Sequence, residues 1–340
     1  MVVLLAILAG VAAAGVRFSG KGWLEPFERD GTECIKGFFI GLVFISHVSG
    51  YLFDAGGGIL GDRIARWIVG TFGQMIVVMF LVYSGYGVMR SILAKGKPYI
   101  SAMPVHRIGR TMLRFDVAVM AFLVLSVLLG NVLPLGKVAL SLVAWESLGN
   151  SNWYIFVIVL CYLIAWAWAS AVPERSRLCP WSLALLVFVY VASMVALSFV
   201  KERWWYDTML AFPLGCLLAV HEKKVKAFAR EWYWPLIALC AAAFVALNRT
   251  PVDALGFVAN AKAIAFGMFV VVATMKLGVR SGVLQWMGKR LFPIYVYQRL
   301  PMIALAAIGG GAFVREMPFC YVMSSLAITA AIAWGVGGRS

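Results

Sequence analysis

Long apolar stretches alternate with short polar, mostly basic connections along nearly the whole chain. A run of roughly 20 apolar residues suits a helix crossing a hydrocarbon core of about 30 Å. Inside lipid each peptide group must find its hydrogen bond within the segment itself. The pattern predicts ten spans, at residues 35–53, 68–89, 115–134, 153–172, 181–199, 204–220, 233–248, 262–275, 291–309 and 317–336. The two-residue alternation of a membrane β-barrel is absent. The expected fold is an all-α polytopic transmembrane helical bundle, its ten-helix domain occupying residues 33–340. Residues 1–16 (MVVLLAILAGVAAAGV) are apolar as well, with no basic residue ahead of them. A secretory signal would begin with positive charge. The run is therefore read as an extra spanning helix with its N-terminus outside, in preference to a cleaved segment. Residues 1–32 then form this hydrophobic segment and a basic cytoplasmic linker.

Composition agrees, with 63% hydrophobic and only 13% charged residues, whereas soluble chains carry about 25% charged. The net charge of +15 raises nucleic acid as a partner, but its distribution argues otherwise. With both flanks and every second connection placed in the cytoplasm, 21 of the 30 Lys and Arg residues fall on that side. This is the positive-inside bias of a membrane protein. The partner it implies is the lipid bilayer, with the C-terminus cytoplasmic and no nucleic acid. Cys34, Cys161, Cys179, Cys216, Cys240 and Cys320 are scattered without a CxxC pair. They read as packing residues, and no metal site is expected. The glycines at 56–58 and 61 lack the order of a phosphate-binding loop and read as a turn. No inverted repeat of the kind seen in many transporters is apparent.

Ionisable residues within a span mark functional sites by default, because they are costly in lipid. His47 lies about two-thirds along the first core helix, eleven residues after Lys36 and seven before Asp54. At 3.6 residues per turn all three share one stripe, with His47 roughly 16 Å deeper than Lys36. A neutral imidazole suits general-base work; a packing histidine is the plainer alternative. The basic stretch from Arg90 to Arg114 places Arg107, Arg110 and Arg114 at spacings of three and four, on one face of an α-helix. Lipid headgroups and a phosphate-bearing ligand both fit it. Toward the outer side stand Asn152-Trp153-Tyr154 and Trp204-Trp205-Tyr206-Asp207. A membrane aromatic belt is the first reading for them, and stacking of a sugar the second.

Several segments occur in a characteristic order: Lys36 to His47, FLVYSGYGVMR at 80–90, HRIGRTMLR at 106–114, NWYIFVIVLCYL at 152–163, FPLGCLLAV at 212–220 and MGKRLFPIYVYQRLP at 287–301. Together they resemble the acyltransferase-3 family of multi-pass membrane proteins, which O-acylate surface polysaccharides and related acceptors in bacteria. The resemblance implies a ten-helix domain in the bacterial cytoplasmic membrane. It implies acyl transfer with His47 as the essential residue and an acyl-CoA, acetyl-CoA first among them, as donor, with no permanently bound cofactor. Lys36 stands where the family usually has Arg, ahead of the histidine. Arg107 and Arg110 correspond to the basic pair after the second helix, so Lys36, Arg107 and Arg110 are expected to meet the donor's phosphates. Ser84 and Gly85 fill a position expected to pack beside the histidine helix. Gln298 occupies a late position where many members have His. Asp54, Ser84, Trp153, Asp207 and Gln298 are expected in supporting or acceptor-side roles. The acceptor class is a glycan or a lipid-linked glycan. Direct transfer and a covalent acyl-histidine intermediate both fit the residues, and a transporter of an anionic or acylated molecule, or a non-catalytic relative, is the alternative function.

Overall fold

The computed structural model describes residues 1–54, 67 and 70–337. The helices are α1 (Val2–Gly15), α2 (Arg29–Asp54), α3 (Val78–Lys95), α4 (Lys97–Met103), α5 (Arg110–Leu128) and α6 (Leu135–Leu142). They continue with α7 (Trp153–Ala171), α8 (Pro180–Ser198), α9 (Ala211–Val220), α10 (Glu222–Glu231), α11 (Tyr233–Arg249) and α12 (Phe257–Ala273). The last are α13 (Gly282–Lys289), α14 (Leu291–Tyr297), α15 (Arg299–Ala306), α16 (Ala312–Glu316) and α17 (Pro318–Val336). Two short strands, β1 (Val16–Phe18) and β2 (Leu277–Val279), pair antiparallel with Val16 opposite Val279. The all-α polytopic bundle is thus the observed fold. Among the described residues six helices are long and apolar enough to cross a membrane, or up to eight if each bent pair is one span. Val2–Gly15, Ala211–Val220 and Phe257–Ala273 are apolar but shorter. The glycines at 56–58 and 61 lie outside the described residues.

The segment expected to be a basic loop, Arg90 to Arg114, is helical instead. Gly96, at φ +57°, is the only interruption between α3 and α4. The chain then runs helical from Lys97 to Leu128. Pro104 cannot donate a backbone hydrogen bond, and from it Pro104–Gly109 winds as a π-helix. Three consecutive glycines with positive φ, Gly309 to Gly311, turn the chain by 83° between Leu291–Ala306 and Ile308–Glu316. The expected span at 204–220 is a 3-10 turn over Arg203–Trp205 followed by a helix that begins only at Ala211.

Glycines set the closest helix pairs. A Cβ at Gly37 would run into the Leu284 carbonyl, and one at Gly288 into that of Glu33, so α2 and α13 touch backbone to backbone. Gly85 and Gly215 bring α3 and α9 together in the same way, against the carbonyls of Phe212 and Val82. Such small-residue contacts let helices approach where lipid offers no hydrophobic drive. Gly85 thereby packs on α9.

The N-terminal segment is laced onto the bundle. Leu8 of α1 lies against Gly41 of α2, and the Gly15 carbonyl accepts from the Arg280 amide at 2.9 Å. Lys276 sits 4.0 Å over the Trp23 ring. Phe27 stacks on Tyr86 at 3.8 Å, and Glu25 pairs with Lys226 and Arg230. With 14 residues, α1 is about 21 Å long, short of a hydrocarbon core.

Candidate functional site

His47 faces two adjoining cavities of about 380 and 350 Å³ that share His47, Trp153 and Trp204 in their walls. The larger is completed by residues 145–147 and 150–152, by Lys201, Glu202 and Trp205, and by Arg299. The smaller reaches Ser46, Gln74 and Tyr295. A third cavity, about 280 Å³ among α1, α2, α13 and α17, has an apolar lining without titratable groups. The first two hold the polar and titratable lining.

The wall opposite His47 is built by two connections held in shape by side chains. Ala144 adopts φ +57°, the one non-glycine residue with positive φ among those described. Such backbone strain persists only where the surroundings enforce it. Here the buried Asn152 donates to the Ala144 carbonyl at 2.9 Å. Asn150 Oδ1 accepts from the Leu148 amide at 3.0 Å and from the Ser147 hydroxyl at 3.3 Å. Lys201 joins the two connections: its Nζ donates to the Trp145 carbonyl at 2.8 Å. The same ammonium lies 4.0 Å from the Trp145 ring and 4.4 Å from that of Trp205. Phe156 packs edge-on to both indoles.

On the opposite side, α2 presents His47 partly exposed to the cavities, with Nδ1 buried and without a hydrogen-bond partner. Its charged neighbour is Arg299. Arg299 donates from Nη2 to the hydroxyl of Tyr51 at 3.4 Å, and Tyr51 lies one helical turn beyond His47. Before it, Gln298 is completely buried, donates to the Tyr295 carbonyl at 3.2 Å, and leaves Oε1 unpartnered. Tyr295 packs 5.2 Å from Tyr154, so the interior behind the histidine is lined with phenols.

The expected site residues therefore separate. His47 and Trp153 meet in one cavity, and Gln298 adjoins it through Arg299. Ser84 and Arg107 are brought to the same neighbour, Tyr162, over whose ring the Arg107 guanidinium lies at 5.9 Å. Arg107, Arg110 and Arg114 do not share a face as α-helical spacing predicted. The wider π-turn carries Arg107 inward and leaves Arg110 and Arg114 exposed. Lys36 is half-buried, with charged neighbours Glu33 and Arg29 on its own helix, whereas the neighbours of Arg107 are the neutral phenols of Tyr99 and Tyr162. Asp54 is exposed at the end of α2. Asp207 pairs with Arg203 at 3.5 Å and lies outside the walls of the His47 cavities; burial raises its carboxyl pKa despite that arginine. Glu146, Lys201 and Arg299 were not singled out in the sequence. Only Arg299 carried a signal, being a cation within the expected span 291–309.

The model of the acyltransferase-3 family, an acyltransferase domain, matches residues 29–338. No curated protein and no solved structure matches the chain. The family match covers α2 to α17 and so every residue lining the His47 cavities, leaving α1, β1 and the segment up to Glu28 outside it. A helical membrane bundle matched over nearly its whole length in this way belongs to the acyltransferase-3 family.

Proposed function

We propose that this protein is an O-acyltransferase of the bacterial cytoplasmic membrane. It moves an acyl group from a cytoplasmic acyl-CoA, acetyl-CoA first among them, to a hydroxyl of a cell-surface polysaccharide or its lipid-linked precursor. The observation that carries this reading is the placing of His47 in a cavity walled by Trp145, Trp153, Trp204 and Trp205 and edged with amides, hydroxyls and carboxylates. Sugars offer apolar ring faces that stack on indoles and hydroxyls that bond to such an edge. About 380 Å³ lies within the roughly 300–1,000 Å³ usual for small-molecule sites. Transfer from a thioester to a hydroxyl needs a base at the attacking oxygen, and His47 is the titratable imidazole that both cavities share.

The charge bias supports the direction. It puts the connections around Trp145 and Trp205 on the outer side, with Arg107 toward the cytoplasm. The anionic donor then approaches Arg107 and Tyr162, and the acceptor approaches the tryptophans. An acyl group passing directly to the acceptor and one resting first on His47 use the same imidazole.

The test is transfer of labelled acetyl groups from acetyl-CoA to candidate glycans by the purified full chain. Replacing His47 with Ala is expected to lower the rate at least about a hundredfold. Undiminished transfer in that variant would remove His47 from the mechanism. Flux of an anionic solute in proteoliposomes without any transfer would replace the enzyme reading with a transporter.

A further inference from the structure

A base alone does not complete an acyl transfer. As the hydroxyl oxygen adds to the thioester, negative charge collects on the carbonyl oxygen, and preorganised donors aimed at that oxygen supply much of the rate enhancement. Resting on the acyl-transfer reading above, we propose that Arg299 is a second catalytic residue, its guanidinium stabilising this oxyanion while His47 handles the proton.

Four observations converge on it. Arg299 and His47 line the same cavity, so one ligand filling it meets both side chains. The Tyr51 hydroxyl, one turn along α2 from His47, accepts one Arg299 N–H at 3.4 Å. That contact anchors the side chain beside the histidine and leaves the rest of its five donors for a ligand. Glu146 and Glu202 line this cavity too, yet among the described residues Arg299 forms no ion pair, so its charge is not spent on a carboxylate. Finally, Gln298 directs its amide to the Tyr295 carbonyl and is a neutral side chain, so Arg299 is the cation that this turn presents to the cavity.

The step balances as follows. His47 accepts the acceptor's hydroxyl proton as the new C–O bond forms, and Arg299 holds the oxyanion. Collapse of the tetrahedral species breaks the C–S bond, and His47 returns the proton to the departing thiolate of coenzyme A. Ester and free thiol are the products. In a route through acyl-histidine, the same guanidinium serves the same oxygen twice.

The experiment compares wild type with Arg299→Gln, Arg299→Lys and Arg299→Ala in the labelled-acetyl assay, each first shown to elute as a monodisperse species in detergent. Arg299→Gln is expected to lower kcat by about a hundredfold to a thousandfold, with KM values for acetyl-CoA and acceptor little changed. Arg299→Lys should fall between the two, because a point charge replaces a planar fork. Added guanidinium ion should restore part of the activity of Arg299→Ala and none to His47→Ala, an outcome that a purely structural role does not produce. A raised acceptor KM at unchanged kcat would overturn the proposal, making Arg299 an anchor for an anionic acceptor. Full activity of Arg299→Gln overturns it alone, whereas an inactive wild type overturns the acyl-transfer reading beneath it. Should the Gln variant not fold, the Lys variant and the guanidinium rescue decide the matter.

Discussion

At the scale of single residues, the membrane makes polar side chains informative. His47 stands out in the sequence because an imidazole in an apolar span is an expensive way to fill space. The structure then supplies what a linear pattern lacks, the side chains that face it from elsewhere in the chain. Lys201 shows the difference. In sequence it is one of nine basic residues that the charge bias assigns to the outer side; in space its ammonium clamps Trp145 to Trp205. Cation–π contacts contribute about 0.5–2 kcal/mol each. Lys201→Met, which keeps length and loses charge, is therefore expected to loosen this wall and raise the acceptor KM about tenfold. KM for acyl-CoA should stay as it is. Initial rates over an acceptor series check this, and an unmoved acceptor KM would separate Lys201 from the acceptor side.

At the scale of elements, glycine and proline decide where expectation and structure part. The run from Arg90 to Arg114 was legible as basic, and as helical only at the spacing of its last three arginines, since a single Gly96 turn and a π-helical start at Pro104 replace the loop. That one wide turn explains why three arginines at helical spacing do not act as one patch. Glycines inside helices are just as specific. Gly85 meets the Phe212 backbone, while a Cβ at Gly87, two positions on, would meet nothing within 4 Å. Gly85→Ala must therefore push α3 from α9, with an expected loss of about 1–3 kcal/mol or more. Gly87→Ala should be neutral or stabilising by up to about 1 kcal/mol, through helix propensity alone. Thermal unfolding followed by size-exclusion fluorescence distinguishes them; equal stabilities would mean that the α3–α9 contact is not as close as described.

At the scale of the whole molecule, the charge bias predicts a bundle polarised from end to end. Arg107 and the tryptophan cavity at His47 lie on segments that the charge bias assigns to opposite sides of the membrane. In a Cys320→Ser background, Glu202→Cys should react with an impermeant maleimide on intact cells. Lys224→Cys should react only after lysis. The reverse pattern would invert the topology and the proposed direction of transfer with it. The segment before Arg29, although outside the family match, is part of this arrangement through Phe27 on Tyr86 and Glu25 on Lys226 and Arg230.

The amino-acid sequence by itself determined that this chain is a helical membrane protein, its family, and His47 as its most unusual interior group. These follow from composition and period, which are local properties and survive without knowing which helix touches which. Only the tertiary structure decided that Trp153 and Trp204 share their cavities with His47, that Arg107 turns toward Tyr162 and leaves Arg110 exposed, and that Arg299 lines the histidine's cavity. Those relations depend on the π-turn after Pro104, on glycine contacts between distant helices and on connections folded back over the bundle. Each brings together residues tens to hundreds of positions apart, and periodicity along a chain carries no record of such distances.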